Sequence, residues 1–147
     1  MKISVMGTGY VGLVSGTCLA ERGHQVTCID IRSEVVQEIN AGRPPIHEIG
    51  LDNLLRSARD KGMLSATTDA KTAILDSDVT LICVGTPTVD GRMDMSQIVA
   101  AAKEIGSALA SKRGYHVVAV KSTVLPGTTE GPVKAAIESH SGKKVGH

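Results

Sequence analysis

Aromatic residues are nearly absent from this chain of 147 residues, which has no Trp, no Phe and two Tyr. Its core must therefore be built from aliphatic side chains, and a hydrophobic fraction of 41% is enough for one domain with a buried core. No apolar run approaches the ~20 residues that a membrane-spanning helix needs. The opening segment, MKISVMGTG, also lacks the regions of a signal peptide. We therefore expect a cytoplasmic protein with no membrane partner.

Neither sign of charge dominates the sequence. Sixteen Lys and Arg stand against fifteen Asp and Glu, which gives a formal net charge of +1. This balance excludes the strongly basic composition that is typical of proteins that bind nucleic acids or anionic membranes. We expect no nucleic-acid partner.

Paired cysteines and metal-ligand spacings are lacking as well. Cys18, Cys28 and Cys83 are far apart and none belongs to a C-x-x-C pair, so all three are predicted to be small buried residues. The apolar neighbours of Cys83 argue against a catalytic thiol there. The five histidines show no metal-ligand spacing, so we expect surface or loop histidines and no metal site.

Short β-type runs alternate with longer segments of helical period. Strands are predicted at 2–6, 25–30, 64–68, 79–84 and 116–120, and helices at 10–22, 33–40, 51–61, 70–75, 95–110 and 129–139. Ser33 and Asp69 are predicted helix caps, and the Pro-containing stretch 43–50 is a predicted loop. The alternation predicts an α/β fold, a doubly wound parallel sheet with helices on both faces, in which 1–147 form one domain. The tail SGKKVGH resembles the lead-in to another strand, so we expect a longer natural chain.

A glycine-rich loop joins the first strand to the first helix. Gly7, Gly9 and Gly12 fit G-x-G-x-x-G, which is weak evidence alone but here follows a predicted strand and opens a predicted helix. Gly7 permits a tight turn, Gly9 lets a pyrophosphate approach the backbone, and Gly12 lets the helix pack closely on the sheet. The N–H groups at the helix N-terminus then face the phosphates. The loop predicts a dinucleotide site on a Rossmann-type fold, and the alternative is a turn that serves packing alone.

An acidic residue closes the second predicted strand. Asp30 follows Gly12 at close to the spacing of about 20 residues that dinucleotide sites show. A carboxylate there accepts the ribose hydroxyls and repels a 2′-phosphate, which favours NAD over NADP. Arg32 keeps NADP open as the alternative, because a guanidinium can bind a 2′-phosphate as well as line the adenine.

Hydroxyl residues follow two later strands, in the segments ICVGTP and STVLPGT. The carboxyl ends of parallel strands meet at one edge of the sheet, where ligands of this fold bind. Thr86 and Thr123 are therefore predicted cofactor contacts, with turn or cap chemistry as the alternative.

The motifs resemble, in order and spacing, the N-terminal domain of the UDP-glucose/GDP-mannose dehydrogenase family over essentially the whole chain. GTGYVG, AGRPPIHEIGLDNLL, ICVGTP and STVLPGT carry the resemblance. The Pro-rich segment is the most diagnostic, because an ordinary Rossmann domain has no such insertion. The resemblance implies NAD as the cofactor and implies cofactor contacts at Tyr10, Val11, Asp30, Thr86 and Thr123.

The resemblance also implies a reaction and an assembly. Members oxidise the C6 alcohol of a UDP- or GDP-linked sugar to a uronate in two steps, with NAD as the acceptor in both, for polysaccharide biosynthesis. The family's catalytic cysteine lies in a later domain, so we expect no catalytic residue in this chain and no activity from it alone. Members dimerise through a helix that also lies beyond residue 147, so we expect a homodimer for the full-length enzyme and a monomer for this chain.

The chain departs from the family at two places. Val35 stands where the family has a Lys near the adenosine, and Arg32 is the candidate to take its place. Glu48-Ile49-Gly50 replaces Glu-Pro-Gly, and Glu48 has no assignable role. Two other functions remain open: the cofactor domain of a 3-hydroxyacid or 6-phosphogluconate-type dehydrogenase, which would not explain the insertion, and a nucleotide-binding module without chemistry. The residues that would select the sugar nucleotide are not in this chain.

Overall fold

The structure, a computed structural model, describes residues 1–146; residue 147, the last of the predicted domain and of the SGKKVGH tail, lies outside it. The elements are β1 (Lys2–Met6), α1 (Tyr10–Glu21), β2 (Gln25–Ile29), α2 (Ser33–Asn40), α3 (Leu51–Asp60), β3 (Leu64–Thr67), α4 (Ala70–Leu75), β4 (Val79–Ile82), β5 (Thr88–Val89), β6 (Arg92–Met93), α5 (Ser96–Leu109), β7 (Val117–Val120), a π-helical turn (Thr129–Val133) and α6 (Lys134–Ser141). Within residues 1–146 five strands form a parallel sheet in the order β3-β2-β1-β4-β7. The order reverses between β1 and β4, as in a doubly wound fold.

Helices cover both faces of this sheet, as predicted. One face packs against α1, α2 and α3, whose buried side chains include Leu13, Ile39 and Leu55. The other packs against α4, α5 and α6. In β4, Leu81 packs on the first core and Ile82 lies in the second, as expected for a strand that is covered on both faces.

Two predictions about helices need correction, one on a cap and one on the continuity of a helix. Ser33 is not a cap: α2 begins at Ser33, and Arg32 at the N-cap position makes no side-chain capping bond. The last helix is divided, because Gly131 has non-helical angles (φ −97°, ψ −105°) and Pro132 has no N–H to donate. The Asp69 cap is confirmed, since its carboxylate accepts a hydrogen bond of 3.0 Å from the N–H of Thr72.

A short hairpin was missed by the sequence analysis. β5 and β6 pair antiparallel around Asp90 and Gly91, which have positive φ values of 50° and 73°. An Asp-Gly pair is a strong signal for this kind of turn. The flanking strands have two residues each, too few for the alternation that predicts a strand. Residues 142–146 of the tail form no strand themselves, and the expectation that a further strand follows in a longer chain stays a prediction.

The cysteine prediction is wrong for Cys18. That residue is exposed on the outer side of α1, whereas Cys28 and Cys83 are buried as expected. Burial raises the pKa of Cys28 to about 12 and that of Cys83 to about 11, so both thiols are protonated near neutral pH. No helix within residues 1–146 has the length and apolar character needed to cross a membrane.

Candidate functional site

A cleft of about 760 Å³ opens at the carboxyl edge of the sheet, where the strand order reverses. Its walls are the loops after β1, β2, β4 and β7 and one side of α5. Parallel strands end together at this edge, so motifs that are far apart in sequence meet here. Of the nine predicted site residues, the cleft is lined by Gly7, Gly9, Tyr10, Val11, Asp30, Arg32, Thr86 and Thr123.

The loop between β1 and α1 borders open space where α1 begins. Gly7 turns the chain with a φ of 95°, and its N–H donates to the carbonyl of Ile29 at 2.9 Å. Gly9 is the N-cap of α1, with extended backbone, and a Cβ built on it would meet no atom within 4 Å. The first amides of a helix have no partner inside it, and the helix dipole favours a negative charge beside them. The free volume over Gly9 therefore fits a phosphate-bearing group.

Gly12, the ninth predicted residue, lies under the cleft rather than in its wall. A Cβ on Gly12 would overlap the carbonyl oxygen of Gly7 and lie 3.1 Å from the Cβ of Cys83. Gly16, one turn further along α1, is 3.3 Å by the same measure from the Sγ of Cys28. These two glycines hold α1 close to the sheet, and that position directs the helix N-terminus into the cleft.

Asp30 is held at the end of β2 by several donors. Its carboxylate is 7% exposed and accepts bonds from the Thr8 hydroxyl, from the Arg32 backbone N–H at 3.0 Å, and from Arg32 Nε and Nη2 at 3.1 and 3.2 Å. Burial raises the pKa of this carboxyl, but the hydrogen bonds from Arg32 and Thr8 outweigh it and lower the pKa below its ordinary value. Asp30 is therefore a charged acceptor in the cleft at neutral pH.

Several lining residues were missed by the sequence analysis. Thr8 is 1% exposed, and its hydroxyl donates to Asp30; its place between Gly7 and Gly9 in the glycine loop is the one signal that could have suggested this role. Gln97, Ala100 and Glu104 of α5 also line the cleft. Their spacing of three and four residues along α5 places them on one side, next to the apolar stripe that the sequence did reveal.

The two threonines lie on neighbouring loops. The Thr86 hydroxyl donates to the backbone carbonyl of Thr123 at 2.7 Å, and the Ser122 hydroxyl donates to the carbonyl of Val84 at 2.7 Å. These bonds join the loop after β4 to the loop after β7. The Thr86 bond joins residues 37 apart and is therefore not the local turn or cap bond that was the alternative, while the exposed side chain of Thr123 lines the cleft.

The two departures from the family lie in different surroundings. Val35 is buried in the core under α2, whereas Arg32 reaches the cleft, so residue 32 and not residue 35 supplies the cation beside Asp30. Glu48 is exposed on the Pro-rich loop, and its carbonyl accepts the Leu51 N–H at 3.1 Å where α3 begins. Among residues 1–146 no group of His, Cys, Asp and Glu side chains is placed to bind a metal ion.

The fold and the cleft together define a class of protein. A parallel sheet with reversed strand order, an open helix N-terminus and a charged carboxylate after the second strand are the parts of a Rossmann-type dinucleotide-binding domain.

Comparison with known sequences gives the family. The family model described as the UDP-glucose/GDP-mannose dehydrogenase family, NAD binding domain, matches residues 1–147. The chain belongs to this family, and its cofactor is NAD. The match favours the first prediction over the 3-hydroxyacid alternative, whose members would share only the fold and the first glycine loop.

Two relatives and one solved structure show the extent of the similarity. The chain is 50% identical to the GDP-mannose 6-dehydrogenase of Pseudomonas aeruginosa and 45% identical to a UDP-glucose 6-dehydrogenase of Haloferax volcanii, over 99% of this chain and 34% of each relative. A crystal structure of a ternary complex of GDP-mannose dehydrogenase from Pseudomonas aeruginosa superposes with a TM-score of 0.96 at 50% identity, over 98% of this chain and 33% of that chain. The chain thus spans about a third of the length of the proteins it matches.

Proposed function

We propose that this chain holds NAD in the cleft at the carboxyl edge of the sheet and serves as the cofactor-binding part of a nucleotide-sugar 6-dehydrogenase. The observation that carries the proposal is the open space over Gly9, which lies at the N-terminus of α1 in the same cleft as the charged Asp30. The space over Gly9 thus suits a diphosphate, and the neighbouring carboxylate of Asp30 suits a ribose.

Each wall of the cleft has its own part in this proposal. The backbone amides that follow Gly9, at Tyr10 and Val11, bind the diphosphate, because both residues line the cleft and lie at the positive end of the α1 dipole. Asp30 accepts the hydroxyls of the adenosine ribose. Thr86 and Thr123 lie on the loops after β4 and β7 and bind the other half of the dinucleotide.

The names of the relatives support a proposal for the reaction of the whole enzyme. NAD, when bound, accepts a hydride, and the protein supplies binding and orientation. Because the relatives are GDP-mannose and UDP-glucose 6-dehydrogenases, we propose a UDP- or GDP-linked sugar as the substrate and oxidation of its C6 alcohol to a uronate. A cytoplasmic location, a role in polysaccharide biosynthesis and a homodimeric full-length enzyme stay predictions.

None of the three cysteines, all of which lie within residues 1–146, is suited to act as the catalytic nucleophile. Cys28 and Cys83 are buried and protonated, and Cys18 is on α1 outside the residues that line the cleft. A nucleophilic thiol needs a lowered pKa and access to the substrate. We therefore propose that the nucleophile belongs to another part of the enzyme and that this chain alone oxidises neither UDP-glucose nor GDP-mannose. Formation of NADH by the purified chain with either sugar nucleotide would contradict this division of roles.

Calorimetry with Asp30→Ala tests the binding site. The wild-type chain is expected to bind NAD in preference to NADP. Loss of hydrogen bonds to a charged acceptor costs about 1.5–3 kcal/mol, so Asp30→Ala should weaken NAD binding by about tenfold to a hundredfold. NADP binding should weaken less, because the variant no longer repels a 2′-phosphate. Asp69→Ala is the matched control, since Asp69 is an exposed carboxylate that caps α4 outside the cleft. Equal NAD affinity of wild type and Asp30→Ala would refute the assignment of the ribose.

A further inference from the structure

The carboxylate of Asp30 has no free acceptor position in the structure. A carboxylate offers about four lone-pair positions, two on each oxygen. Oδ1 accepts the backbone N–H and Nε of Arg32, at 3.0 and 3.1 Å. Oδ2 accepts the hydroxyl of Thr8 and Nη2 of Arg32, the latter at 3.2 Å. A ribose can bind Asp30 only after one or more of these donors leaves.

The four donors differ in how easily they leave. The Thr8 hydroxyl is buried, and the Arg32 N–H belongs to the backbone at the N-cap of α2, so both are fixed by the fold. The guanidinium is at the end of a flexible side chain that is 56% exposed, and ion pairs of that kind contribute little to stability. The guanidinium makes one bond to each oxygen of the carboxylate. Two neighbouring hydroxyls of a ribose would bind the carboxylate in the same way, one on each oxygen.

We infer that the Arg32 guanidinium occupies the two acceptor positions on Asp30 that the adenosine ribose requires. Arg32 therefore competes with the ribose of NAD for the Asp30 carboxylate. The inference rests on the proposed NAD site. Thr8 and the Arg32 backbone N–H keep Asp30 oriented in both states, and cofactor binding exchanges the two guanidinium bonds for two hydroxyl bonds. Arg32 therefore lowers the affinity of the cleft for NAD, although it is one of the residues that line it.

The displaced guanidinium also affects the choice of cofactor. After displacement it remains next to the ribose, because Arg32 is two residues from Asp30 and its backbone N–H stays bonded to the carboxylate. A 2′-phosphate there would gain a charge-assisted pair with Arg32, while the unphosphorylated ribose of NAD would not. Arg32 thus reduces the preference for NAD that Asp30 creates.

Calorimetry on Arg32→Ala tests the inference, with NAD and NADP as the ligands. Because solvent screens the guanidinium, which is 56% exposed, we expect the pair to be worth up to about 1 kcal/mol, so Arg32→Ala should bind NAD about two- to fivefold more tightly. The ratio of the NADP to the NAD dissociation constant should rise by about tenfold, because the phosphate loses its partner. Arg43→Ala is the matched control: Arg43 makes an equivalent forked pair with Glu38, at 2.6 and 3.0 Å, outside the cleft, and its loss should change neither affinity.

The possible results distinguish a failure of the Arg32 competition from a failure of the proposed NAD site. If the wild-type chain binds no NAD, the proposed function fails. If the wild type binds NAD and Arg32→Ala binds it equally or more weakly, the proposed site stands and the competition is overturned. Nitrogen-15 NMR of the wild type gives a second readout without a substitution: the Nε–H signal of Arg32 should shift when NAD is added, and a signal that stays unchanged at saturating NAD would also overturn the inference.

Discussion

The two ends of the sheet use polar side chains in opposite ways. Toward the amino ends of the strands, the hydroxyls of Ser77, Ser4 and Thr80 form a chain with spacings of 2.9 and 2.7 Å that ends on His116 Nε2 at 2.8 Å. The other ring nitrogen of His116 is 3.1 Å from the carbonyl of Ser77. All of these groups have hydrogen-bond partners inside the protein. We call this region, at the amino ends of the strands, the closed end of the sheet.

At the carboxyl ends the polar groups face a cleft. Gly9 at the start of α1 adjoins open space, and the Thr123 side chain is exposed. Asp30 is bonded, but half of its partners belong to an exposed arginine side chain. The comparison shows that burial alone does not separate structural polar groups from those that we propose to bind a ligand. The distinguishing feature is whether the partners are fixed or can be exchanged.

The largest effect is expected from Gly12→Ala. The added Cβ would overlap the carbonyl oxygen of Gly7, and backbone atoms cannot move aside as a flexible side chain can. Overpacking of this kind costs about 3 kcal/mol, so the free energy of unfolding in urea should fall by that amount. An unchanged free energy would mean that α1 sits further from the sheet than the structure places it.

Lys112→Met tests the closed end of the sheet. The Lys112 ammonium donates to the carbonyls of Ile74 and Leu75 at 2.8 and 3.0 Å and also to that of Ser77, where α4 ends. Removing these donors should cost about 1–2 kcal/mol of unfolding free energy and leave NAD affinity unchanged. Lys103→Met, at an exposed position of α5, is the control and should change neither quantity. A loss of NAD affinity in Lys112→Met alone would contradict the separation of the two ends.

The sequence revealed those parts of the site that depend on local geometry. The glycine loop, the carboxylate after β2 and the hydroxyls after β4 and β7 were predicted, because each follows a strand end and parallel strands end at one edge. The pairing of Arg32 with Asp30 was not predicted, because it depends on the side-chain conformation of Arg32. The bond between Thr80 and His116 joins residues 36 apart, so it depends on the register of β4 and β7, which no local pattern reveals.

The exposure of Cys18 was mispredicted for a related reason. The buried residues of α1 are Gly12, Leu13, Gly16, Thr17 and Ala20. Small residues dominate this set, so hydrophobicity alone does not show which side of the helix faces the sheet. The contact surface of α1 is defined by its glycines, and Cys18 lies outside it.

Gly9→Ala should affect binding rather than stability. Gly9 has extended backbone at the N-cap of α1, which alanine can adopt, and its Cβ would meet no protein atom. The unfolding free energy should therefore change by less than about 1 kcal/mol. The same Cβ would occupy the space that we assign to the diphosphate, so NAD should bind at least about tenfold more weakly. Equal NAD affinity of wild type and Gly9→Ala would show that the diphosphate lies elsewhere.

The smallest effect concerns pH and the closed end of the sheet. Burial, followed by the charge of Lys112, lowers the pKa of His116, and its bond to the Ser77 carbonyl and the charge of Asp78 oppose this only in part. The unfolded chain therefore takes up a proton first, near its ordinary pKa of about 6.5, and stability should fall as the pH drops below that value. The half-buried ring is screened by solvent, so the loss should not exceed about 1 kcal/mol.

Protonation also reverses the hydrogen bond at Nε2 of His116. In the neutral ring Nε2 accepts from the Thr80 hydroxyl, whereas in the charged ring it donates, so the hydroxyls of Thr80, Ser4 and Ser77 must all turn. The Ser77 hydroxyl has the Ile74 carbonyl at 3.1 Å as an acceptor, which lets the chain reverse without an unpaired group. Thermal unfolding of wild type and His116→Gln between pH 8 and pH 5 (about 1.5 units either side of the ordinary pKa of about 6.5) should show a steeper fall for the wild type. Parallel curves would mean that the ring titrates alike in the folded and unfolded chains.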